Sequence, residues 1–353
     1  MRLQLFIIFP TLIGSLVFAG TTPQTPNTSP ATPPPFDADL FRKEAQGFSF
    51  HGDFLYWSAQ EGALDYAIKM DQNAWGPEYC YAQGKYKSAT FSLDPGFRVS
   101  ASFFRAPKYW EIWGQYTRLT VQGNNESYAP EGNDEFLTGT WPQIFTNPLT
   151  QATSHISMNY NVADFWFDRV FLPNPHLRMR FLGGGVMAWL NQFWKVLYTD
   201  AQNQQTKLSN RWKFTGGGLR MGVLIDWYWF ENIYMTAGTT FATLLGTYRN
   251  ISKQWVNFSP SPGKYNPTVP IRDGNFKDVR PAFSGQFYLG PSYQKNFPHN
   301  RMELFAGYEL NAWLNLQESF RSTSGSPSDP KETRINTAMI ALQGLTMRAT
   351  LDF

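Results

Sequence analysis

From Phe48 onward, hydrophobic and polar residues alternate with a period of two in segments of about ten residues separated by turn residues, the pattern of half-buried strands. Phe48, Phe50, Phe54 and Tyr56 oppose Ser49, His51, Asp53 and Trp57. Ala63 to Met70 follows a tight Gln60-Glu61-Gly62 turn, and Lys85 to Leu93 runs into Asp94-Pro95-Gly96, a strong turn signal. Phe97, Val99, Ala101 and Phe103 then oppose Arg98, Ser100 and Ser102. Both faces of Tyr109 to Val121 are mixed, so its orientation stays open. Further on, Ile156, Met158, Tyr160 and Val162 oppose Ser157, Asn159 and Asn161, and Leu177, Met179, Phe181, Met187 and Trp189 oppose Arg178 and Arg180. Leu219, Met221, Val223, Ile225, Trp227 and Trp229 oppose Arg220, Asp226 and Tyr228. Ile233 to Tyr248 and Pro281 to Tyr293 follow, and then Met302, Leu304, Ala306, Tyr308, Leu310, Ala312 and Leu314 face away from Glu303, Glu309, Asn311 and Asn315. In the last ten residues Leu345, Met347, Ala349, Leu351 and Phe353 take one side, and Thr346, Arg348, Thr350 and Asp352 the other. The count is about twelve strands, within a range of ten to sixteen, and the fold class is all-β.

Composition decides what surrounds these strands. Aromatic residues make up 17% and charged residues 16% of the 353 residues, with 13 Trp, 17 Tyr and 30 Phe. A soluble domain carries about 25% charge, and a helical membrane protein is hydrophobic overall, whereas the mean hydropathy here is -0.38. Strands with one face in lipid and the other in water fit both facts. The formal net charge of +3 comes from scattered Lys and Arg, which argues against a nucleic-acid footprint. A single cysteine, Cys80, excludes an intrachain disulfide framework and a multi-Cys zinc site.

The first residues supply an address. Met1-Arg2 followed by the mostly apolar Leu3 to Phe18 reads as a signal peptide over residues 1–19, cut ahead of Gly20, because Pro10 and Gly14 interrupt a segment too short to span. Residues 20–47 form a Pro/Thr-rich leader that cannot build a core, and residues 48–353 form the barrel. The expected architecture is a transmembrane antiparallel β-barrel with short periplasmic turns and long extracellular loops, in the outer membrane.

With both termini inside, Asn124 to Thr153, Lys195 to Asn210, Asn250 to Val279 and Glu318 to Asn336 become long outer loops. Arg105 to Lys108, Arg169 to His176, Phe230 to Asn232 and Gln294 to Asn300 become short inner turns. The first third breaks the alternation: Asp71 to Gly84 falls inside although long, and the turns at Gly62 and Gly96 fall outside. Fusing Phe48 to Met70 and Phe97 to Val121 into single strands would restore it with about ten strands.

Candidate chemistry is sparse. His51, His155, His176 and His299 lack metal-ligand spacing and read as turn or lumen residues. Gly183-Gly184-Gly185 and Gly216-Gly217-Gly218 fit no phosphate loop and read as bends or close backbone approaches. No G-x-S-x-G nucleophile motif occurs, so no catalytic, cofactor or metal residue is assigned and no enzyme is expected. Aromatic groups at strand ends, such as Tyr109-Trp110 and Trp227-Tyr228-Trp229, suit a membrane girdle. The remaining constellation is charge in the middle of strands: Arg98, Arg178, Arg180, Arg220, Asp226, Glu303, Glu309 and Arg348. An Arg or Lys on the lipid side near the midplane costs about 2 to 4 kcal/mol, so these eight are expected to line the lumen, either setting a pore's field or bracing a narrow interior.

Several stretches resemble the Legionella-type major outer membrane protein family, which includes MOMP-like porins of environmental chlamydiae. They are G-D-F-L-Y-W at Gly52 to Trp57, A-L-D-Y-A at Ala63 to Ala67, L-D-P-G-F-R-V at Leu93 to Val99, W-G-Q-Y-T-R-L at Trp113 to Leu119, and R-W-K-F-T-G-G-G-L-R-M-G at Arg211 to Gly222. The terminal strand resembles the closing strand of outer-membrane barrels, in which the last aromatic, here Phe353, is part of the signal read by the barrel-assembly machinery. The single Cys80 departs from the cysteine-rich cross-linking known in chlamydial major porins. The resemblance implies a pore-forming barrel without cofactor. The expected function is passive diffusion of small hydrophilic solutes; the alternative is a surface adhesin or structural barrel whose Trp141, Phe145, Trp255 and Phe258 contact a host or neighbouring molecule. Partners expected are outer-membrane lipid, the barrel-assembly machinery and the solutes, with no nucleic acid; trimers are common among porins, and nothing in the sequence establishes one.

Overall fold

The computed structural model describes residues 46–70, 84–105, 109–131, 135–141, 148–257, 270–316, 318–322, 332–336 and 339–353, and every regular element among these is a strand. The signal peptide, nearly all of the leader, and Cys80 lie outside the described residues. The strands are β1 (Gln46–Glu61), β2 (Asp65–Met70), β3 (Gly84–Ser88), β4 (Asp94–Arg105), β5 (Trp110–Tyr128), β6 (Phe136–Gly139), β7 (Leu149–Asn174) and β8 (Leu177–Asp200). They continue as β9 (Gln205–Tyr228), β10 (Ile233–Val256), β11 (Arg272–Asn296), β12 (Arg301–Leu314), β13 (Glu318–Ser322), β14 (Glu332–Asn336) and β15 (Met339–Asp352).

Thirteen strands share one antiparallel sheet in the order β3-β2-β6-β7-β5-β4-β1-β15-β12-β11-β10-β9-β8, and β7 also pairs with β8. The ring therefore closes through ten strands, β1, β4, β5, β7 to β12 and β15. β2, β3 and β6 extend the sheet beside β7, and β13 pairs with β14 as a separate hairpin. The expected count of about twelve lies between the ring and the whole sheet.

Followed from Phe50 through successive partners, a row across the ring meets β11 at Lys295 in one direction and at Phe283 in the other, a stagger of twelve residues. For ten strands that stagger corresponds to a tilt of about 40° and a narrow bore, closer to side-chain-filled eight-stranded barrels than to open porins.

Both ends of the ring's chain lie at one rim, here called the terminal end, where the Phe353 amide donates to the Phe48 carbonyl at 2.9 Å. The connections at this rim, 106–109, 175–176, 229–232 and 297–300, are short. The opposite rim, the loop end, carries 62–93, 129–148, 201–204, 257–271 and 315–338.

This arrangement resolves the first third of the chain differently from either expectation. β2 and β3 pair with each other, and β2 with β6, at the loop end; apart from Gly84, the Asp71 to Gly84 connection lies outside the described residues. β4 and β5 are separate antiparallel neighbours, not one fused strand. Asp94-Pro95-Gly96 opens β4 in place of a turn; Pro95 sits at the second residue of the strand, where its missing N–H is tolerated.

Strand runs into all four of the expected long outer loops. β8 and β9 run to Asp200 and from Gln205, leaving a four-residue connection where Lys195 to Asn210 was expected to be loop. β7 to β11 reach 24 to 26 residues, whereas β12 and β15 have 14. At about 3.3 Å per residue and this tilt the long strands rise roughly 60 Å along the axis, more than twice the apolar band of about 25 Å in such barrels.

The excess length carries the opposite polarity. Along lower β7, Phe165 and Phe167 point outward and Asp164, Trp166 and Asp168 inward; along upper β7, Ile156, Met158, Tyr160 and Val162 are buried inside and Ser157, Asn159 and Asn161 face outward. β9 repeats this, with Leu219, Met221 and Trp227 exposed near the terminal end and Lys207, Arg211 and Lys213 exposed near the loop end. Gly216-Gly217-Gly218 lies at the changeover on β9, where a Cβ at Gly218 would stand 1.9 Å from the Thr243 carbonyl oxygen, and Gly183-Gly184-Gly185 lies within the belt between Phe181 and Met187. Gly184, Gly216 and Gly218 are close approaches of the kind read from the sequence, whereas Gly183, Gly185 and Gly217 have room for a Cβ.

Candidate functional site: the barrel lumen

Inward-facing residues of the lower half are polar because their strands give the other face to apolar side chains. Arg98 on β4 donates to Asp53 of β1 at 3.0 Å, to Glu309 of β12 at 2.7 and 3.1 Å, and to Thr117 of β5 at 3.1 Å. Asp53 also accepts from Arg348 on β15 at 3.0 and 3.2 Å, and Glu309 accepts from Thr346 at 2.9 Å and from Gln286. One bidentate Arg–carboxylate pair and its neighbours thus tie six strands together.

Nearer the terminal end, Arg178 on β8 pairs with Asp226 on β9 at 2.8 Å and reaches Glu303 on β12 at 3.8 Å. Its guanidinium also lies 5.6 and 5.8 Å from the ring centroids of Tyr228 and Tyr234. Arg301 meets Asp352 at 2.6 Å and Glu303 at 3.1 Å, Arg180 meets Glu111 at 3.5 Å, and Arg220 meets Asp164 at 3.2 Å.

The structure places all eight sequence-selected charges inside, in neighbouring ion-pair groups completed by Asp53, Glu111, Asp164, Arg301 and Asp352. They do not border an open water path: Arg98, Arg178, Arg220 and Glu309 are 1 to 4% exposed. A buried carboxylate or guanidinium is tolerated when its charge and its hydrogen-bonding atoms are matched, and removal of one partner is what becomes costly.

Above the charges the lumen is closed by packed apolar groups. Leu55, Trp57, Leu119, Val121, Met158, Tyr160, Val186, Leu190, Trp212, Phe214, Leu244, Tyr248 and Trp313 belong to one buried cluster. Tyr160 on β7 accepts a hydrogen bond of 2.9 Å from Asn311 on β12, and its ring meets Trp313 edge-on at 6.0 Å. β7 and β12 stand five strands apart in either direction round the ring, so this contact crosses the full diameter. Among the described residues the polar lumen holds cavities of about 40 and 60 Å³, beside His51, Trp113, Arg180 and Glu303. That is space for a few waters and not for a hydrated solute.

The histidines serve different surroundings. His51 is inside, its Nδ1 2.7 Å from Thr350 Oγ1 and its ring stacked 4.3 Å from Trp113. His176 and His299 lie in terminal-end connections. His155, expected in a turn or the lumen, faces outward on upper β7 with Nδ1 2.6 Å from Asn124 Oδ1, because the strand continues beyond the apolar belt. Among the described residues no group of three or more His, Cys, Asp and Glu is placed to hold a metal.

Two surface expectations need correction. Trp141, proposed as a contact residue, is 4% exposed and packs edge-on against Trp194 at 6.3 Å, while Trp255 lies half-buried on β10 and Phe145 and Phe258 fall outside the described residues. Within the aromatic girdle Trp227, Trp229 and Phe230 are exposed outside the terminal rim, but Tyr228 turns inward beneath Arg178.

A closed antiparallel ring with an apolar outer belt and its charges inside defines the class of outer-membrane β-barrels. The sequence profile described as Legionella pneumophila major outer membrane protein precursor matches residues 42–353, and the chain belongs to that family. No curated protein sequence matches it. Among solved structures, it is similar to the outer membrane protease OmpT of Escherichia coli, with 10% identity, 87% of this chain and 96% of that chain covered, and a TM-score of 0.40. It is also similar to the toluene transporter TodX of P. putida, with 8% identity, 87% and 89% covered and a TM-score of 0.26. These likenesses concern the fold.

Proposed function

We propose that this outer-membrane protein is a barrel with a filled lumen that acts through its loop end, as a surface adhesin or structural barrel, in place of the diffusion porin expected from the alternation, the lumen charges and the family resemblance. The supporting observation is the contact across the full diameter, Asn311 to Tyr160 with Trp313 packed beside them. A pore that passes small hydrophilic solutes needs a continuous water path, and here the path meets interlocked aromatic and aliphatic side chains above paired charges. The terminal end then faces the periplasm, with Phe353 offered to the barrel-assembly machinery. The loop end projects outward on the long β7 to β11 wall. The reading is non-catalytic: the eight lumen charges singled out in the sequence all have oppositely charged partners.

Planar bilayers test the closed lumen. Purified protein should insert without stepwise conductance. Regular steps from the unmodified chain would overturn the reading and return the porin, and a reversal potential moved toward cations by R178E/R180E would then assign selectivity to those two arginines. For the surface role, replacing residues 130–147 by a short Gly-Ser linker should lower binding to cells or to neighbouring bacteria. Heat-modifiable gel migration should stay unchanged in that variant. Unchanged binding would leave the structural role.

A further inference from the structure

The outward face of β9, β10 and β11 carries charge where the apolar belt stops. Lys213 is directly paired with Arg249, and Arg249 with Lys277, so three cations stand side by side on adjacent strands. All three are exposed. Like charges directly opposite each other destabilise a sheet, and among the described residues Arg249 meets the neutral Asn275 at 3.4 Å while no acid is paired with the three. Arg211, Lys207 and Lys195 above them add the same sign, and the acid of this face among the described residues, Asp273, is held by Lys253 at 2.9 Å. The chain as a whole has a formal net charge of only +3, so this wall concentrates a positive charge that the molecule does not have on average.

Immediately below the row come Thr215, Thr247 and Val279, and then apolar side chains with no protein over them, Val279 at 66%, Leu245 at 62% and Leu219 at 71% exposed. Lys277 stands one outward residue above Val279, Arg249 two above Leu245 and Lys213 three above Leu219, so the row lies about 5 to 15 Å along the axis above the first bare apolar side chains. Hydrocarbon meets headgroup at that height. Lysine stems can lie along the belt with their ammonium groups raised, and a guanidinium presents a fork that matches a phosphate's oxygens.

We propose that Lys213, Arg249 and Lys277 bind the phosphorylated headgroup of an outer-leaflet glycolipid, whose acyl chains lie on Leu219, Leu245 and Phe283 below. The ligand is an amphiphile and not a soluble polyanion, because the charge row is continuous with bare apolar surface. This site rests on the loop end facing outward, part of the reading above, but not on the lumen being closed. A conductance result therefore cannot decide it.

The test uses the purified barrel in neutral detergent with two probes, bis-phosphorylated lipid A and the same lipid with both phosphates removed, read by native mass spectrometry across a lipid titration. The unmodified protein should hold the phosphorylated lipid tightly and the dephosphorylated lipid weakly. Each cation near such a surface contributes about fivefold, so K213Q/R249Q/K277Q should weaken the phosphorylated lipid roughly 100-fold. R249Q alone should weaken it about fivefold. Exposed substitutions of this kind perturb folding little, and gel migration before and after boiling confirms the barrel in each variant. K195Q/K207Q removes two cations set farther from the belt and should leave affinity nearly unchanged. Equal affinity for both lipids, an unchanged triple variant, or full displacement by millimolar inorganic phosphate would overturn the proposal. So would an equal loss in K195Q/K207Q, which would reveal a diffuse patch for soluble polyanions.

Discussion

Strand β7 contains two proteins' worth of logic on one face. Over Phe165 and Phe167 its outward side chains are aromatic and its inward ones, Asp164 and Asp168, are acidic; four to ten residues earlier, Ser157, Asn159 and Asn161 point outward and Met158 and Tyr160 inward. The backbone is the same and the surroundings differ. Lipid around the lower half drives polar groups inside, where each must find a partner, and water around the upper half drives apolar groups inside, as in a soluble β-sheet with one wet face. The lower lumen is therefore rich in ion pairs and the upper lumen chiefly a hydrophobic core, within which Arg280 pairs with Glu318 and Asp278. Their stacking closes a ring that by strand number alone could have been hollow.

The ion pairs of the lower lumen are the place where one atom set carries the most. Asp53 is the shared acceptor of Arg98 and Arg348. In D53A the buried Arg98 and the half-buried Arg348 lose a counter-charge, and breaking a buried pair in this way costs about 3 to 5 kcal/mol. Unfolding of the refolded protein by urea in detergent micelles should show that loss, with R98M/E309Q, which removes an opposed pair together, markedly less affected. Equal losses in the two variants would mean that the lower lumen is not organised by charge matching.

The outer face gives the next effect. F167R on lower β7 sets a charge in the apolar belt near its middle and should cost about 2 to 4 kcal/mol. The same unfolding measurement in lipid vesicles reads it. A loss below about 1 kcal/mol would place the belt elsewhere on the strand.

In the upper lumen the probe is the contact across the diameter. N311L removes the donor to Tyr160 while keeping similar bulk, leaving the buried phenol short of one partner, at a cost of about 1 to 3 kcal/mol. Urea unfolding of N311L in micelles, beside Y160F and the double variant, measures it. The double variant should recover part of the loss, since the phenol is then gone as well. Strict additivity would mean the two side chains do not interact.

These two halves also explain what was legible in the sequence. Lower-half strands announce themselves by outward apolar residues, and the faces of β1, β4, β8, β12 and β15 are those the alternation marks, with Arg98, Arg178, Glu309 and Arg348 turned inside. The upper halves alternate in the opposite sense, so Lys195 to Asn210 reads as a polar loop although it is two paired strands and their connection. Ile156 to Val162 likewise reads as a lipid face although it is core. Glu111 and Asp164 were missed as ion-pair partners for related reasons: β5 is mixed on both faces, and the polarity of β7 reverses within one strand. The signal was present in the outward Lys207, Arg211 and Lys213 of β9, whose period-two spacing continues that of Leu219 and Met221 without interruption. Long-range partners such as Asn311 and Tyr160, 151 residues apart, have no local signature at all.

The smallest effect is the most discriminating one. Ser157 lies on the same outward face of β7 as Phe167, ten residues nearer the loop end, and is half-buried beside Gln122 and Phe193 on the flanking strands. If water surrounds that height, S157R places a charge on a wet sheet surface and should change stability by no more than about 0.5 kcal/mol in either direction. Paired with F167R in the same vesicles, it turns one strand into a depth gauge: the same substitution, the same face, and a difference set by the medium outside. If S157R costs as much as F167R, the belt extends over the upper half as well. The inward apolar cluster would then need another cause than water on the outside.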